Sequence, residues 1–364
     1  MNSLKFNKKE GDTKVVVAMS GGVDSSVAAV MLKKQGYDVT GVTLKLYNQT
    51  NVNNSKSCCA GRDIEDAKKI ANKYDFPHLT FDYQDKFYEG VIENFVESYS
   101  NAETPIPCIK CNQTVKFRDL LNEAKKMNAD ALVTGHYVIR RGGKQNAKLF
   151  KAKDANKDQS YFLFATLQDQ LDYLRFPLGE YFKSEIREMA NEYNLNVSDK
   201  PDSQDICFVS SSSYRDLINS LNPDINKEGD FIDVKGNVIG KHFGIANYTI
   251  GQRKGIGIGG NEQPLYVIDI NKKTNKVVLG NRDKLNKNKI KFNNINWLDK
   301  SITPKNLVCS ARIRSTQKEE SGILNIEEGL GEFIFDNNFS DTAPGQACVL
   351  YLKGQVLGGG WITK

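Results

Sequence analysis

A short run rich in serine and glycine near the N-terminus has the residue types and spacing of an anion site. The run is Ser20-Gly21-Gly22-Val23-Asp24-Ser25, between an apolar β-branched segment at 14–17 and a segment typical of a helix at 26–34. The first N–H groups of a helix have no helical partner, and the helix dipole adds positive potential there. Glycines let the backbone approach a phosphate closely. The run therefore predicts a phosphate-binding turn, although no Lys follows the glycines as it does in the G-x-x-x-x-G-K-[ST] loop.

Three cysteines lie in segments that could carry thiol chemistry. Cys108 and Cys111 form a C-x-x-C pair after two prolines, and Cys207 lies in a polar segment far along the chain. We expect a helix to start near Cys111, so that the helix end and Lys110 lower the pKa of this thiol and favour the thiolate. A C-x-x-C pair also fits a redox pair or half of a zinc site. No second C-x-x-C or histidine pair supplies the other zinc ligands.

The glycine-rich run resembles the pyrophosphate-binding loop (PP-loop) of ATP pyrophosphatases, which adenylate a substrate and release pyrophosphate. Further blocks make the chain similar to the tRNA-specific 2-thiouridylases over essentially its whole length. The matching blocks are residues 18–25, 104–117, 202–208 and 248–260, and residues 344–346 with 357–360.

The resemblance implies ATP-dependent thiolation at C2 of the wobble uridine, position 34, in tRNAs for Lys, Glu and Gln. It implies that ATP, with Mg²⁺, activates the C2 oxygen by adenylation. The implied ATP-binding residues are Ala18, Met19, Ser20, Gly21, Gly22, Val23, Asp24, Ser25, Leu44 and Gly135. Sulfur would arrive from a persulfide donor or relay as a persulfide on Cys207, and Cys111 would release it and leave a Cys111–Cys207 disulfide.

One position departs from the family pattern. Cys108 stands where the family commonly has an aspartate that is a candidate general base, and this leaves the identity of the base open. Cys108, Cys111 and Cys207 are also a candidate ligand set for a [4Fe–4S] cluster with one open iron. The persulfide and cluster routes therefore both remain open, and the former is our preferred hypothesis.

The resemblance also implies residues that contact tRNA. They are His136, Lys157, Asp158, Gln159, Arg314, Ser315 and Gln346, with Arg312 on the same expected barrel strand as Arg314. Ser315 replaces the usual aromatic residue, so base stacking is not expected there. The basic segment 252–254 is a further candidate for phosphate contacts.

These residues need a scaffold, and the sequence pattern indicates one. Strand and helix patterns alternate over residues 14–135, with expected helices at 63–74, 87–99 and 111–127, so we predict a parallel sheet in an α/β, PP-loop (adenine nucleotide α-hydrolase-like) domain. Ligands bind at the carboxyl ends of such strands, so Ser20, the segment after Leu44 and Gly135 are expected to share one site. Short strands follow, which predicts a small β-rich central domain and a C-terminal β-barrel. The expected domains are 1–208, 209–285 and 286–364.

Composition restricts the class of protein. The chain has 364 residues, seven cysteines, a net charge of +6 and a mean hydropathy of −0.49, which allow a nucleic-acid partner. No apolar run is long enough for a membrane and there is no secretory signal, so we expect a cytoplasmic protein. The odd number of cysteines in such a chain favours reduced thiols. We also expect a monomer. We expect Cys58, Cys59, Cys309 and Cys348 to be small buried apolar residues. The alternative functions are another adenylating enzyme acting on a small molecule, or a non-catalytic RNA-binding or iron–sulfur protein.

Overall fold

The computed structural model describes residues 1–47, 61–198, 200, 206–209, 214–259, 263–339 and 342–364. Cys58, Cys59, residues 202–205 of the third matching block and residue 260 of the fourth lie outside this part of the chain. The chain divides into two compact units, which are described separately. The first unit comprises Met1–Val91, Cys108–Ser211 and Lys353–Leu357, and the second comprises Ile92–Pro107, Ser212–Leu352 and Gly358–Lys364.

A five-stranded parallel sheet is the centre of the first unit, in the order β3-β2-β1-β4-β7. The strands of this unit are β1 (Lys14–Ala18), β2 (Asp38–Lys45), β3 (His78–Asp82), β4 (Ala131–Thr134), β5 (Val138–Arg141), β6 (Lys148–Lys151) and β7 (Leu174–Arg175). Ala18 at the end of β1 is in register with Val42 on one side and Thr134 on the other. The carboxyl ends of these three strands therefore meet at one edge of the sheet.

Helices follow most strands of this sheet, as the alternating pattern predicts. The helices of the whole chain are α1 (Val23–Lys34), α2 (Arg62–Lys73), α3 (Gln84–Phe87), α4 (Glu93–Ser100), α5 (Pro107–Cys111), α6 (Leu121–Lys126), α7 (Gln168–Tyr173), α8 (Lys183–Glu192) and α9 (Tyr214–Leu221). Two of the expected helices, 87–99 and 111–127, contain π-helical turns at Tyr88–Ile92 and Asn112–Leu120. Short 3₁₀ turns occur at Ser160–Leu163, Pro223–Ile225, Ile245–Asn247 and Arg282–Leu285.

The core of the first unit explains why α1 is fixed against the sheet. Val15 and Val17 of β1 are fully buried in one apolar cluster with Val27 of α1 and Ile186 of α8. A strand covered on both faces reads as a continuous apolar run, which is the pattern at 15–17. Burying a Val or Ile side chain stabilises a fold by about 1.5–3 kcal/mol, so this cluster holds α1 and α8 firmly.

The second unit contains a four-stranded sheet in the order β10-β11-β8-β9. Its strands are β8 (Glu228–Ile232), β9 (Val238–Phe243), β10 (Tyr266–Asn271) and β11 (Lys276–Gly280). Phe231, Val267 and Val277 form the centre of its apolar cluster and are at most 1% exposed. This sheet is the small β-rich region that the run of short predicted strands indicates.

The C-terminal strands form a closed six-stranded barrel. They are β12 (Lys287–Trp297), β13 (Leu307–Arg312), β14 (Glu320–Glu327), β15 (Leu330–Phe339), β16 (Ala347–Leu352) and β17 (Gln355–Ile362). The ring closes because β12 pairs antiparallel with both β15 and β17. The predicted fold class is confirmed. In the described part of the chain, no helix has the length and apolar character needed to cross a membrane.

Candidate nucleotide and thiol site

The glycine-rich run forms a tight turn between β1 and α1. The Ser20 N–H donates to Ser25 Oγ at 3.0 Å, and Ser26 Oγ donates to the Gly22 carbonyl at 2.8 Å. These bonds fold the turn back onto the first turn of the helix. Gly22 is the N-cap residue, so the N–H groups that follow it are the ones a helix leaves without helical partners. The turn has the geometry of an anion-binding site.

Two glycines let this turn pack closely against its neighbours. Gly21 has a φ of +72°, and a Cβ atom on it would overlap the backbone of Asp63 at the start of α2. A Cβ atom on Gly135 would lie 2.8 Å from the Ser25 backbone nitrogen. Gly135 follows β4, so the expected meeting of β1 and β4 in one site is what the structure shows. Leu44 lies near the end of β2, at the same edge of the sheet.

An ion pair with a lysine from α8 holds the acidic residue of the turn. Lys183 Nζ donates to Asp24 Oδ1 at 2.7 Å and to Oδ2 at 2.8 Å, and the Tyr137 hydroxyl donates to Oδ1 at 2.6 Å. The Lys183 side chain is 9% exposed, and that of Asp24 is 31% exposed. Sequence reasoning missed Lys183, because no local motif surrounds it.

A second lysine that sequence reasoning missed bridges the turn and α2. Lys200 Nζ donates to the Gly21 carbonyl at 3.0 Å, to Asp63 Oδ1 at 2.8 Å and to Asp66 Oδ2 at 2.6 Å. Its neighbours in sequence, 199 and 201–205, lie outside the described residues. The one signal in the sequence was the position of Lys200 just before the third matching block.

The C-x-x-C pair lies on α5, which begins earlier than expected. The helix starts at Pro107, because proline is favoured in the first helical turn, where its missing N–H is not needed. Cys111 therefore lies inside a helical segment that continues into the π-helical turn at Asn112–Leu120, and it is buried. Burial raises the pKa of the Cys111 thiol, an effect that the charge of Lys116 opposes. The predicted lowering of this pKa is wrong, because the prediction rested on the helix end and Lys110 and took no account of the burial of the thiol.

Cys207 is exposed and lies in a turn beside an anchored aromatic residue. The Val209 N–H donates to the Ile206 carbonyl at 3.0 Å, which closes this turn. Phe208 is buried and meets Phe87 edge to face, with ring centroids 5.6 Å apart. The turn therefore presents its cysteine while its neighbour holds it to the first unit.

The thiols do not form a metal-ligand set. Over the described residues, which include Cys108, Cys111 and Cys207, no three His, Cys, Asp or Glu side chains are grouped so that they could hold a metal ion. A cluster needs such a grouped set of thiolates. The donor arrangement therefore does not fit a [4Fe–4S] cluster. The expected burial of Cys309 and Cys348 is confirmed.

Most of the residues near the site that we expect to contact tRNA already pack against or bond to other residues of the fold. His136 packs edge-on between Phe117 and Phe176, and burial, with a smaller contribution from Lys116, lowers its pKa to about 3. Gln159 Oε1 accepts from the Tyr137 N–H at 2.8 Å. Asp158 accepts from Ala152 and Ser160, and Lys157 is half-buried beside it. The side chains of Gln159 and Asp158 are therefore engaged within the fold. The backbone of the turn is held by bonds from the Lys157 N–H to the Asp154 carbonyl and from the Gln159 N–H to the Tyr137 carbonyl.

The candidate tRNA residues of the second unit differ in exposure. Arg312 is the last residue of β13, so Arg314 lies two residues beyond the strand. The expectation that Arg314 lies on this strand is wrong. Ser315 is exposed, whereas Gln346 donates through Nε2 to the Thr104 carbonyl at 3.2 Å. In the basic segment 252–254, the side chain of Gln252 donates to the Lys254 carbonyl at 3.0 Å, and both basic side chains are exposed.

Comparison with known proteins covers the whole chain. Three family models match: the tRNA methyl transferase HUP domain over residues 13–211, the tRNA methyl transferase PRC-barrel domain over 220–281 and the aminomethyltransferase beta-barrel domain over 287–362. Among solved structures, a 4-thiouridine synthetase in complex with RNA and bound ATP shows a weak likeness. Its TM-score is 0.38 at 19% identity, and the match covers 58% of this chain and 51% of that one.

Two curated relatives match from end to end. The tRNA-specific 2-thiouridylase MnmA of Paracoccus denitrificans (strain Pd 1222) is 48% identical over 368 residues, which cover all of this chain and 95% of the relative. The protein of the same name from Orientia tsutsugamushi (strain Boryong) is 48% identical over 367 residues, which cover all of this chain and 99% of the relative. Identity at this level over the full length shows that the chain belongs to the family of the tRNA-specific 2-thiouridylases, a family of enzymes.

Proposed function

We propose that this chain catalyses ATP-dependent 2-thiolation of the wobble uridine, U34, in tRNAs for Lys, Glu and Gln. The observation that carries the proposal is the turn from Ser20 to Ser25, with its glycine packing and the helix N-terminus that follows it, in a chain of this family. That turn suits the polyphosphate of ATP. The same unit contains Cys111 and Cys207, the two thiols that the sulfur-transfer steps require.

The first step activates a poor leaving group. The uridine O2 attacks the α-phosphorus of ATP, the bond to the β-phosphate oxygen breaks, and pyrophosphate leaves. The N–H groups at the start of α1 stabilise the charge on the phosphates. Mg²⁺ fits this arrangement, because it is commonly held by one or two carboxylates together with phosphate oxygens, and Asp24 provides one carboxylate. When bound, it would spread the charge that develops on the pyrophosphate.

Sulfur transfer then uses the two cysteines. A donor protein or relay supplies a persulfide on Cys207, whose terminal sulfur attacks C2 and displaces AMP. The Cys111 thiolate attacks the Cys207 sulfur, so the S–S bond to the transferred sulfur breaks, a Cys111–Cys207 disulfide forms, and C2=S remains on the tRNA. An external thiol reductant restores both thiols. The exposure of Cys207 suits its reaction with a donor.

We assign the second unit to tRNA binding as part of the same proposal. Arg253 and Lys254 are exposed cations that could neutralise phosphates, and Arg314 and Ser315 follow a barrel strand. Gln346, His136 and the 157–159 turn complete the proposed contacts. We also propose the division into a catalytic domain at 1–208, a central domain at 209–285 and a barrel domain at 286–364, which the three matched ranges support.

Reconstitution tests the proposal directly. The purified chain is incubated with ATP, Mg²⁺, a persulfide donor and an unmodified tRNA for Lys, and the nucleosides are analysed by mass spectrometry. We expect 2-thiouridine to appear with ATP and to be absent from a tRNA with cytidine at position 34. If the chain adenylates a small molecule and leaves tRNA unmodified, the alternative function is correct. Depleting the protein in cells should lower 2-thiouridine in the same three tRNAs.

A further inference from the structure

The PP-loop turn has no lysine of its own, and the fold supplies one from another helix. No Lys or Arg occurs in residues 18–25. Lys183, the first residue of α8, lies 159 positions beyond Asp24 and yet bonds to both oxygens of its carboxylate. In P-loop enzymes, by contrast, a lysine within the loop provides the positive charge.

The contacts show that Lys183 and Asp24 form one electrostatic unit. The ammonium group is mostly buried, and a buried charge is costly unless it is paired and hydrogen-bonded. Both carboxylate oxygens of Asp24 accept a hydrogen bond from Lys183, which pairs the ammonium group. The Tyr137 hydroxyl donates a third hydrogen bond to the same carboxylate. The carboxylate is thereby held in one orientation with its charge compensated.

The position of the ammonium group is fixed by the fold and not by the ion pair alone. The Lys183 N–H donates to Asp154 Oδ2 at 3.0 Å, which anchors the first turn of α8. Ile186 and Ala190 of α8 are fully buried in the same cluster as Val27 of α1. The two helices therefore bring Lys183 to the first turn of α1 before any ligand binds.

This pairing matters because Asp24 lies beside the N–H groups that the polyphosphate would use. An uncompensated carboxylate repels a phosphate charge at 4 Å by about 1 kcal/mol in water and by about 4 kcal/mol near a protein surface. We propose that Lys183 is a positioning residue of the nucleotide site, which acts through Asp24 by cancelling its charge and fixing its carboxylate so that polyphosphate can bind. The proposal depends on the ATP step of the proposed function.

The test measures binding by calorimetry with two ligands, ATP and uncharged adenosine, in EDTA so that no metal ion compensates charge. The variants are Lys183→Met, Lys183→Arg and the double variant Asp24→Asn/Lys183→Met. The matched control is Lys153→Met, which removes an exposed ion pair with Glu185 of the same helix. We expect Lys183→Met to weaken ATP binding by about tenfold or more and to leave adenosine binding unchanged.

The remaining variants separate charge from structure. Lys183→Arg should bind ATP within about threefold of the parent chain, because the charge of the pair is kept. The double variant should bind ATP more tightly than Lys183→Met, because it no longer has an uncompensated carboxylate beside the phosphates. The control should match the parent chain. The proposal is overturned if Lys183→Met binds ATP normally, if it loses ATP and adenosine affinity together, or if the double variant is as weak as Lys183→Met. A parent chain that binds neither ligand in EDTA and does not bind ATP in the presence of Mg²⁺ would refute the ATP step itself.

Discussion

Lys200 Nζ lies 3.0 Å from the carbonyl oxygen of Gly21 and donates a hydrogen bond to it. The same atom bonds to Asp63 and Asp66 at the start of α2, so one ammonium group joins the PP-loop turn to a neighbouring helix. Arg187 in turn donates to the Ser198 carbonyl at 2.9 Å, which holds the chain just before Lys200. The sequence places Cys207 seven positions beyond this junction.

We expect Lys200→Met to lower the free energy of unfolding by about 2 kcal/mol, because two largely buried carboxylates lose their cation. Urea denaturation measures this change. Lys73→Met is the matched control, since Lys73 donates to the backbone carbonyls of Tyr193 and Asn194, lies over the Tyr74 ring and has no carboxylate partner in the described part of the chain. This variant should change stability by less than about 0.5 kcal/mol. Equal losses of stability in the two variants would show that the ion pairs of Lys200 with Asp63 and Asp66 do not stabilise the fold.

Gly135→Ala should weaken ATP binding by about tenfold and destabilise the fold by about 1–3 kcal/mol. Its new Cβ atom would lie 2.8 Å from the Ser25 nitrogen, so β4 or the first turn of α1 must move. Gly143→Ala is the matched control, because a Cβ atom there meets nothing within 4 Å. Calorimetry and urea denaturation of both variants measure the effects, and normal ATP affinity in Gly135→Ala would show that the close approach is dispensable.

Stability should fall as the pH falls from about 6.5 towards 3. Folded His136 has a pKa of about 3 and stays neutral over this range, whereas in the unfolded chain it takes up a proton below about 6.5. The unfolded state then binds more protons, so the free energy of unfolding decreases by up to about 1.4 kcal/mol per pH unit, or about 2 kcal/mol by pH 5. Urea denaturation of His136→Asn should show a pH dependence shallower by this amount. An unchanged slope would rule out His136 as its source.

The sequence predicted the parts of the site that depend on local chemistry. The turn from Ser20 to Ser25 could be identified because strand, glycines and helix follow each other directly. The meeting of Ala18 and Gly135 could be expected because the carboxyl ends of parallel strands share one edge. The barrel was predictable from strands separated by turn residues.

The parts that sequence reasoning missed depend on distant contacts. Lys183 and Lys200 act through side chains more than 130 positions away, and neither has a local signature. The error at Cys111 has a different origin. The sequence favours a helix that starts near Cys111, but Pro107 is the first residue of α5, and packing buries the Cys111 thiol.

Asp24→Ala and Cys207→Ser should block different steps. Asp24→Ala should lower tRNA-dependent pyrophosphate release by at least about a hundredfold, because the turn loses its carboxylate beside the phosphates. Cys207→Ser should bind ATP and tRNA normally and yet form no 2-thiouridine with a persulfide donor and no added sulfide, since a hydroxyl cannot carry persulfide sulfur. Pyrophosphate release and nucleoside mass spectrometry measure the two outcomes. Normal thiolation by Cys207→Ser would remove Cys207 from the mechanism.

Cys108→Ala decides between the two sulfur routes. Cys108 is exposed on the first turn of α5, and it belongs to no group of three metal-binding side chains in the described part of the chain. We therefore expect Cys108→Ala, purified in air and free of iron, to retain thiolation within about tenfold of the parent chain when a persulfide donor is supplied. Cys108→Asp, which restores the commoner family residue, should also be active. The persulfide route is wrong if the parent chain works only after anaerobic reconstitution with iron and sulfide and Cys108→Ala then has no activity.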